Sequence, residues 1–138
     1  MKDFEVNIKI KLAALWIAAT FCYLYGDYFE LYTPGKVENL ISGDHVLNSP
    51  MSLFIASLIM VIPPLMVVAS IVLKPKPNKW LNVVFGTIFT IMMVLIAFGS
   101  LTPWYSFYVF LALTEALLTV LIVWNALKWP KENKYTSN

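Results

Sequence analysis

The sequence contains no arginine. All ten of its basic residues are lysines, so the planar two-point clamps that grip carboxylates and phosphates are unavailable. It has a single cysteine, Cys22, which excludes an intrachain disulfide and any multi-cysteine metal site. Charge is scarce as well. Charged residues make up 13% of the 138 positions, against about 25% in an ordinary soluble domain. A net charge of +2 is too small to point to nucleic acid, whose binding needs many phosphate contacts. There is no glycine-rich phosphate loop, no zinc-ligand spacing and no plausible Ser-His-Asp set, so no cofactor and no metal are expected. His45, beside Asp44 and within reach of Glu38 in a loop, reads as a solvated side chain.

Apolar residues are abundant, at 59% of the chain, with a mean hydropathy of +0.72. A bilayer core needs roughly 20 mainly apolar residues per helix. Four runs qualify, at about Leu12–Tyr32, Met51–Leu73, Leu81–Gly99 and Trp104–Leu127. The expected fold is therefore all-α, a four-helix transmembrane bundle forming a single domain over residues 1–138. Two of the runs have almost no polar face, which argues against a soluble bundle. The first run is long and lacks an A-x-A-like site, so it is expected to be retained and not cleaved as a signal peptide. Cys22 follows "ATF", which does not resemble a lipoprotein cleavage box.

Lysine sets the expected orientation. Lys2, Lys9 and Lys11 precede the first run, Lys74, Lys76 and Lys79 lie between the second and third, and Lys128, Lys131 and Lys134 follow the fourth. The other two connections carry only Lys36. Positive charge collects in cytoplasmic loops, which places both termini inside, in a multi-pass protein of the cell's inner membrane. Trp80, Trp124 and Trp129 then mark the inner boundary and Trp104, Tyr28, Tyr32 and Tyr105 the outer one, as amphipathic rings should. Trp16 falls a turn inside the belt and is expected to face a neighbour. In the outer loop, residues 33–50, Pro34 at a first helical position and Val37, Leu40 and Ile41 at helical spacing predict a short amphipathic helix ended by Gly43. Ser49 is the expected N-cap of the second span. The proline-rich "LKPKPNKW" is expected to be a tight inner turn, and the tail, residues 128–138, to be cytoplasmic, polar and disordered.

The few polar residues within the runs share faces. Glu115 is near the centre of the fourth run, and Tyr108, Ala112 and Thr119 lie on its side of the helix. Phe110, Leu113, Leu117 and Val120 form the opposite, lipid-facing side. Thr20, Tyr23, Asp27 and Glu30 make one stripe on the first run. Asn82, Gly86, Thr90 and Ala97 make another on the third, where small residues permit close helix approach. In the second run Pro63 and Pro64 remove two amide donors, which frees carbonyls near Ile59 and Met60 that other groups must satisfy. A charged carboxylate in hydrocarbon costs several kcal/mol, and no lysine lies inside the spans. Asp27 and Glu115 would be neutral donors to a carbonyl or to Tyr23, Tyr25 or Tyr108, or they would hold a cation. Cys22 and the methionines read as packing residues.

The stretches "YLYGDYFELYTPGKVENLISG", "IPPLMVVASIVLK" and "TPWYSFYVFLALTEALLTVLIVWNALKW" resemble a family of small four-span bacterial membrane proteins known as a domain of unknown function. The likeness runs from about Leu12 to Trp129, and its marks are Asp27, Pro34-Gly35, the paired prolines and Glu115. It implies a bacterial cytoplasmic membrane and no particular activity. The layout is also similar to sterol-isomerase-like four-span bundles, in architecture only. Besides the lipid bilayer, the partner expected is a small apolar or cationic ligand, or a proton, in a cavity lined by Asp27, Glu115, Tyr23, Tyr108, Thr20, Thr90 and Thr119. A homo-oligomer is compatible with so few helices. The alternative is an accessory subunit whose acids only fix helix packing, and a lipid-modifying intramembrane enzyme stands behind both.

Overall fold

The computed structural model describes residues 5–129. Lys2, Lys131, Lys134 and most of the tail lie outside this range. The helices are α1 (Ile8–Glu30), α2 (Lys36–Ser42), α3 (Pro50–Met60), α4 (Ile62–Val72), α5 (Pro75–Gly99) and α6 (Ser106–Leu127), with a short 3-10 turn at Pro103–Tyr105 before α6. All regular structure among the described residues is helical. Counting α3 with α4 and the 3-10 turn with α6, four helices are long and apolar enough to cross a membrane, and the protein is a multi-pass membrane protein in make-up.

Three helix starts differ from expectation, for identifiable reasons. The Asn7 side chain accepts from the Lys9 amide at 2.8 Å and caps α1, so the helix begins a turn before the apolar run and carries Lys9 and Lys11. The prolines of "LKPKPNKW" do not keep the chain out of a helix. Pro75 opens α5 and Pro77 follows in its first turn, where a missing N–H has no intrahelical partner to lose. The turn between α4 and α5 shrinks to Leu73 and Lys74. In the long loop, Gly35 and Gly43 take φ of 78° and 82° and bracket α2, so Pro34 precedes the helix instead of starting it. Ser49 caps α3 with a reciprocal Ser52 contact and Pro50 follows at the first position, as expected.

Within the bundle α6 is flanked by α5 and α1, and α1 in turn packs on α4. The end bearing Ile8, Val72, Pro75 and Leu127 is the lysine end. The opposite end, with α2 and the 33–50 connection, is the loop end. The apolar core occupies the lysine half, where Leu12, Trp16, Met66, Phe89, Ile122 and Ala126 are buried together. Trp16 meets Phe89 edge-on at 6.0 Å, so it does face a neighbour.

A polar cluster locks this half. The Trp16 indole N–H donates to Asn82 Oδ1 at 2.7 Å. Asn82 Nδ2 donates to Asn78 Oδ1 at 2.7 Å, Asn78 Nδ2 donates to the Ser70 carbonyl at 2.7 Å, and the Ser70 hydroxyl reaches Asn82 Oδ1 at 3.3 Å. The side chains of this cluster are fully buried and no buried polar side-chain atom among the described residues lacks a partner. Such a cluster joins α1, α4 and α5 with every donor satisfied, which is the condition for a buried network to favour one packing.

Gly86 lets α5 lie against α6. A Cβ there would stand 2.7 Å from Val123 Cγ2 and 3.3 Å from Ile122 Cγ2. Gly26 differs, because a Cβ there would meet only Tyr108 and Leu111 side-chain atoms at 3.5–3.6 Å, an ordinary contact. The two glycines should respond oppositely to the same change. Gly86→Ala is expected to lower stability by about 1–3 kcal/mol through overpacking. Gly26→Ala should leave it unchanged or raise it by up to about 1 kcal/mol from helix propensity. Thermal unfolding of both variants in one detergent tests the contrast.

Candidate functional site

The site begins at a break in the second span. Pro64 has no amide hydrogen, so the carbonyl four residues earlier, on Met60, loses its helical partner. The Tyr23 hydroxyl from α1 donates to that carbonyl at 2.8 Å. The orphaned carbonyl expected from the sequence is therefore real, and its partner comes from the polar stripe of α1. Beyond the break α3 buries none of its residues and has no extensive contact except with α4. The loop half of the bundle is correspondingly less filled than the lysine half.

A cavity of about 50 Å³ lies there, lined by Cys22, Tyr23, Gly26 and Asp27 of α1, Met60 of α3, Met93 and Ile96 of α5, and Tyr108, Leu111, Ala112 and Glu115 of α6. Glu115 is 5% exposed and its carboxyl hydrogen-bonds no protein group among the described residues. Because no fully enclosed side-chain oxygen is left unpaired, its oxygens must border open space, and the cavity supplies it. Asp27 stands at the mouth, exposed. It also lines a wider cleft beneath α2, shared with Glu30, Lys36, Asn39, Asp44 and His45.

Ionic contacts frame this mouth. Lys36 Nζ is 2.8 Å from Glu30 Oε1, and the Tyr105 hydroxyl donates to the same oxygen at 3.3 Å. The hydrogen bond to Glu30 is the main reason the Lys36 ammonium is held above the usual lysine range. Glu30 thus ties the start of α2 and the approach to α6 to the end of α1.

Residues 1–136 match a family of unknown function, DUF6326. The chain belongs to that family. No curated protein and no solved structure matches it.

Of the seven site residues expected in this DUF6326 chain, Asp27, Glu115, Tyr23 and Tyr108 come together at the cavity. The three threonines do not line it. Thr20 donates to the Trp16 carbonyl at 2.8 Å. Thr90 and Thr119 sit 2.7 Å apart and join α5 to α6, while each also contacts a carbonyl of its own helix. A hydroxyl is most easily satisfied by its own helix backbone, and polarity on the same stripe did not distinguish that from facing a cavity. Tyr25 is exposed and stacks on Phe29, so it is no partner for either acid. Cys22 borders the cavity instead of sitting in a filled core. The residues overlooked are Ser70 and Asn78. Two asparagines one turn apart, opposite a serine in an apolar run, were the available signal. Among the described residues no three His, Cys, Asp or Glu side chains converge as metal ligands.

If Tyr23 has the backbone-satisfying role seen here, Tyr23→Phe should cost about 1–2 kcal/mol, within the range for hydrogen bonds inside membrane proteins and for an abandoned acceptor. Equilibrium unfolding in mixed micelles would measure it. A cost near zero would mean that water from the cavity replaces the hydroxyl.

Proposed function

We propose that this protein resides in a bacterial cytoplasmic membrane with both ends in the cytoplasm, and that Glu115 reversibly binds a proton or a small cation inside the bilayer. The lysine end then faces the cytoplasm and the loop end faces outward, in keeping with the positive-inside distribution. Lys128 Nζ lies 4.1 Å over the Trp124 ring at that lysine end, as interfacial residues would. A homo-oligomer belongs to the same proposal, since four helices offer little room for a conduit within one copy.

The observation that carries this reading is the missing partner of Glu115. An acid retained to fasten helices should be fastened to something. The helix-fastening polar groups of this bundle, Trp16, Asn78, Asn82 and Ser70, are all hydrogen-bonded. Glu115 is also buried, at 5% exposed, and its carboxyl bonds to no neighbour among the described residues. An ionised carboxylate left so would cost several kcal/mol, and a proton or cation removes that cost. The size of the cavity at Glu115 favours a proton or small cation there over an organic ligand. Pockets for such molecules measure about 300–1,000 Å³, and this cavity is about 50 Å³. The accessory-subunit alternative draws no support from the site, although the polar cluster shows what such fastening looks like.

Thermal unfolding of the purified protein in detergent tests the reading. The unfolding midpoint should change with pH, or rise when choline chloride is replaced by lithium, sodium or potassium chloride. A ligand at about 100 times its Kd adds about 2.7 kcal/mol. Glu115→Gln should fold and lose that response. Identical responses of both proteins to every pH and every cation would refute binding at Glu115.

A further inference from the structure

The cavity at Glu115 has a mouth at one end and a floor at the other. At the mouth Asp27 borders both the cavity and the cleft below α2, so it joins Glu115 to the solution at the loop end. On the lysine side the next turn of α6 places buried Ala116 and Thr119 beneath the carboxyl. The Thr119 hydroxyl is joined to Thr90 across the helix pair. Below them come Phe89, Trp16, Asn82 and Ile122, each at most 3% exposed. The polar side chains in this layer are already hydrogen-bonded, and among the described residues no buried one is left unpaired to hold water there.

The cavity wall also discriminates among cations. Ca²⁺ takes about six to eight oxygen ligands and Mg²⁺ about six, carboxylates prominent among them. The lining offers the Glu115 and Asp27 carboxyls and the Tyr108 hydroxyl. The Tyr23 hydroxyl donates to Met60 and keeps its oxygen lone pairs, the remaining lining side chains present carbon or sulfur, and among the described residues no three His, Cys, Asp or Glu side chains converge as metal ligands. A proton needs one oxygen.

We propose that Glu115 takes a proton in preference to a metal ion, and that it exchanges this proton only with the solution at the loop end, by way of the α2 cleft and Asp27. The inference rests on the reading that Glu115 binds a cationic species, and it specifies which one and from which side. The groups facing Glu115 are consistent with it. From α1 they are Cys22, Tyr23 and Asp27, and from α6 Tyr108. Met60 of α3 and Met93 and Ile96 of α5 do not titrate. Lys36, the ammonium nearest the mouth, is engaged by Glu30 and provides no fixed countercharge at Glu115.

The full chain, carrying a C-terminal affinity tag, would be reconstituted in proton-tight vesicles. Capture through the tag selects vesicles with the lysine end outward and the loop end toward the lumen. A lipid-soluble carbodiimide then reports protonation. The acid's proton moves to one reagent nitrogen as the carboxyl oxygen adds to the central carbon, and the adduct rearranges to a stable acylurea found by mass spectrometry. Labelling at Glu115 should follow lumenal pH, falling by up to about tenfold per pH unit in the range where the acid is mostly ionised. It should ignore external pH and added lithium, sodium or potassium. Asp27→Asn should slow the response to a lumenal pH jump without abolishing labelling, and Glu115→Gln should remove the adduct.

Labelling that follows external pH, or both sides equally, overturns the one-sided route and leaves cation binding standing. Protection by an alkali cation overturns the preference for a proton and again leaves the binding reading intact. Labelling of Glu115 insensitive to pH on both sides and to every cation would overturn both.

Discussion

The paired prolines of the second span organise the rest of the molecule. Proline cannot donate to the helix ladder, so Pro63 and Pro64 end one helix and begin another at Val61. The Met60 carbonyl released by this break recruits Tyr23 from α1. The segment beyond the break, α3, buries nothing. An underfilled region therefore lies beside the middle of α1 and α6, and Asp27 and Glu115 project into it. The backbone defect and the acids share one requirement. Polar atoms within a nearly charge-free bundle need a local place where water or another polar group can reach them.

That requirement divides the bundle into two unlike halves. The lysine half is closed by side chains that satisfy one another, from the Trp16 indole through Asn82 and Asn78 to Ser70. Close approach of α5 to α6 at Gly86 seals it further. The loop half has the opposite character, with a small cavity, a cleft and a salt bridge at the rim. Rigidity in one half and accessibility in the other follow from where hydrogen bonds can be completed within the protein. Glu115 lies where the packed lysine half meets the cavity, and this asymmetry is what the proposed one-sided exchange requires.

Much of this architecture could be read from the chain, because the signals were redundant. Four apolar runs, separated by prolines and glycines, leave few alternatives to four long helices. Ser49-Pro50 marks its helix start through two independent local effects, a side-chain cap and a fixed φ. The face of Glu115 was legible because small or polar residues (Tyr108, Ala112, Thr119) share it and large apolar ones lie opposite. The threonines were harder to place. A threonine on a polar stripe can point into a cavity or back onto its own helix, and periodicity is the same in both cases. The Asn78 and Ser70 partnership was harder still, since it joins residues on two helices across a turn whose length was misjudged. Once Pro75 and Pro77 are understood as the first turn of α5, Asn78 becomes a helical residue one turn before Asn82, and the cluster follows.

The absence of arginine and the scarcity of internal lysine bear directly on Glu115. A carboxyl within a helical bundle can be neutralised by a basic side chain, by several hydrogen-bond donors, by a proton or by a bound cation. No lysine lies between the ends of the four long runs, which removes the first option. The Tyr23 donor is committed to Met60 and Lys36 to Glu30, which weakens the second. A proton or a cation from solution is the neutralising species we propose, entering where the proline break leaves the bundle less filled. The cavity at Glu115, about 50 Å³, has room for water and is smaller than the about 300–1,000 Å³ of pockets for organic molecules. The same scarcity of charge that makes these helices fit for a membrane thus leaves Glu115 without a basic partner within the four runs.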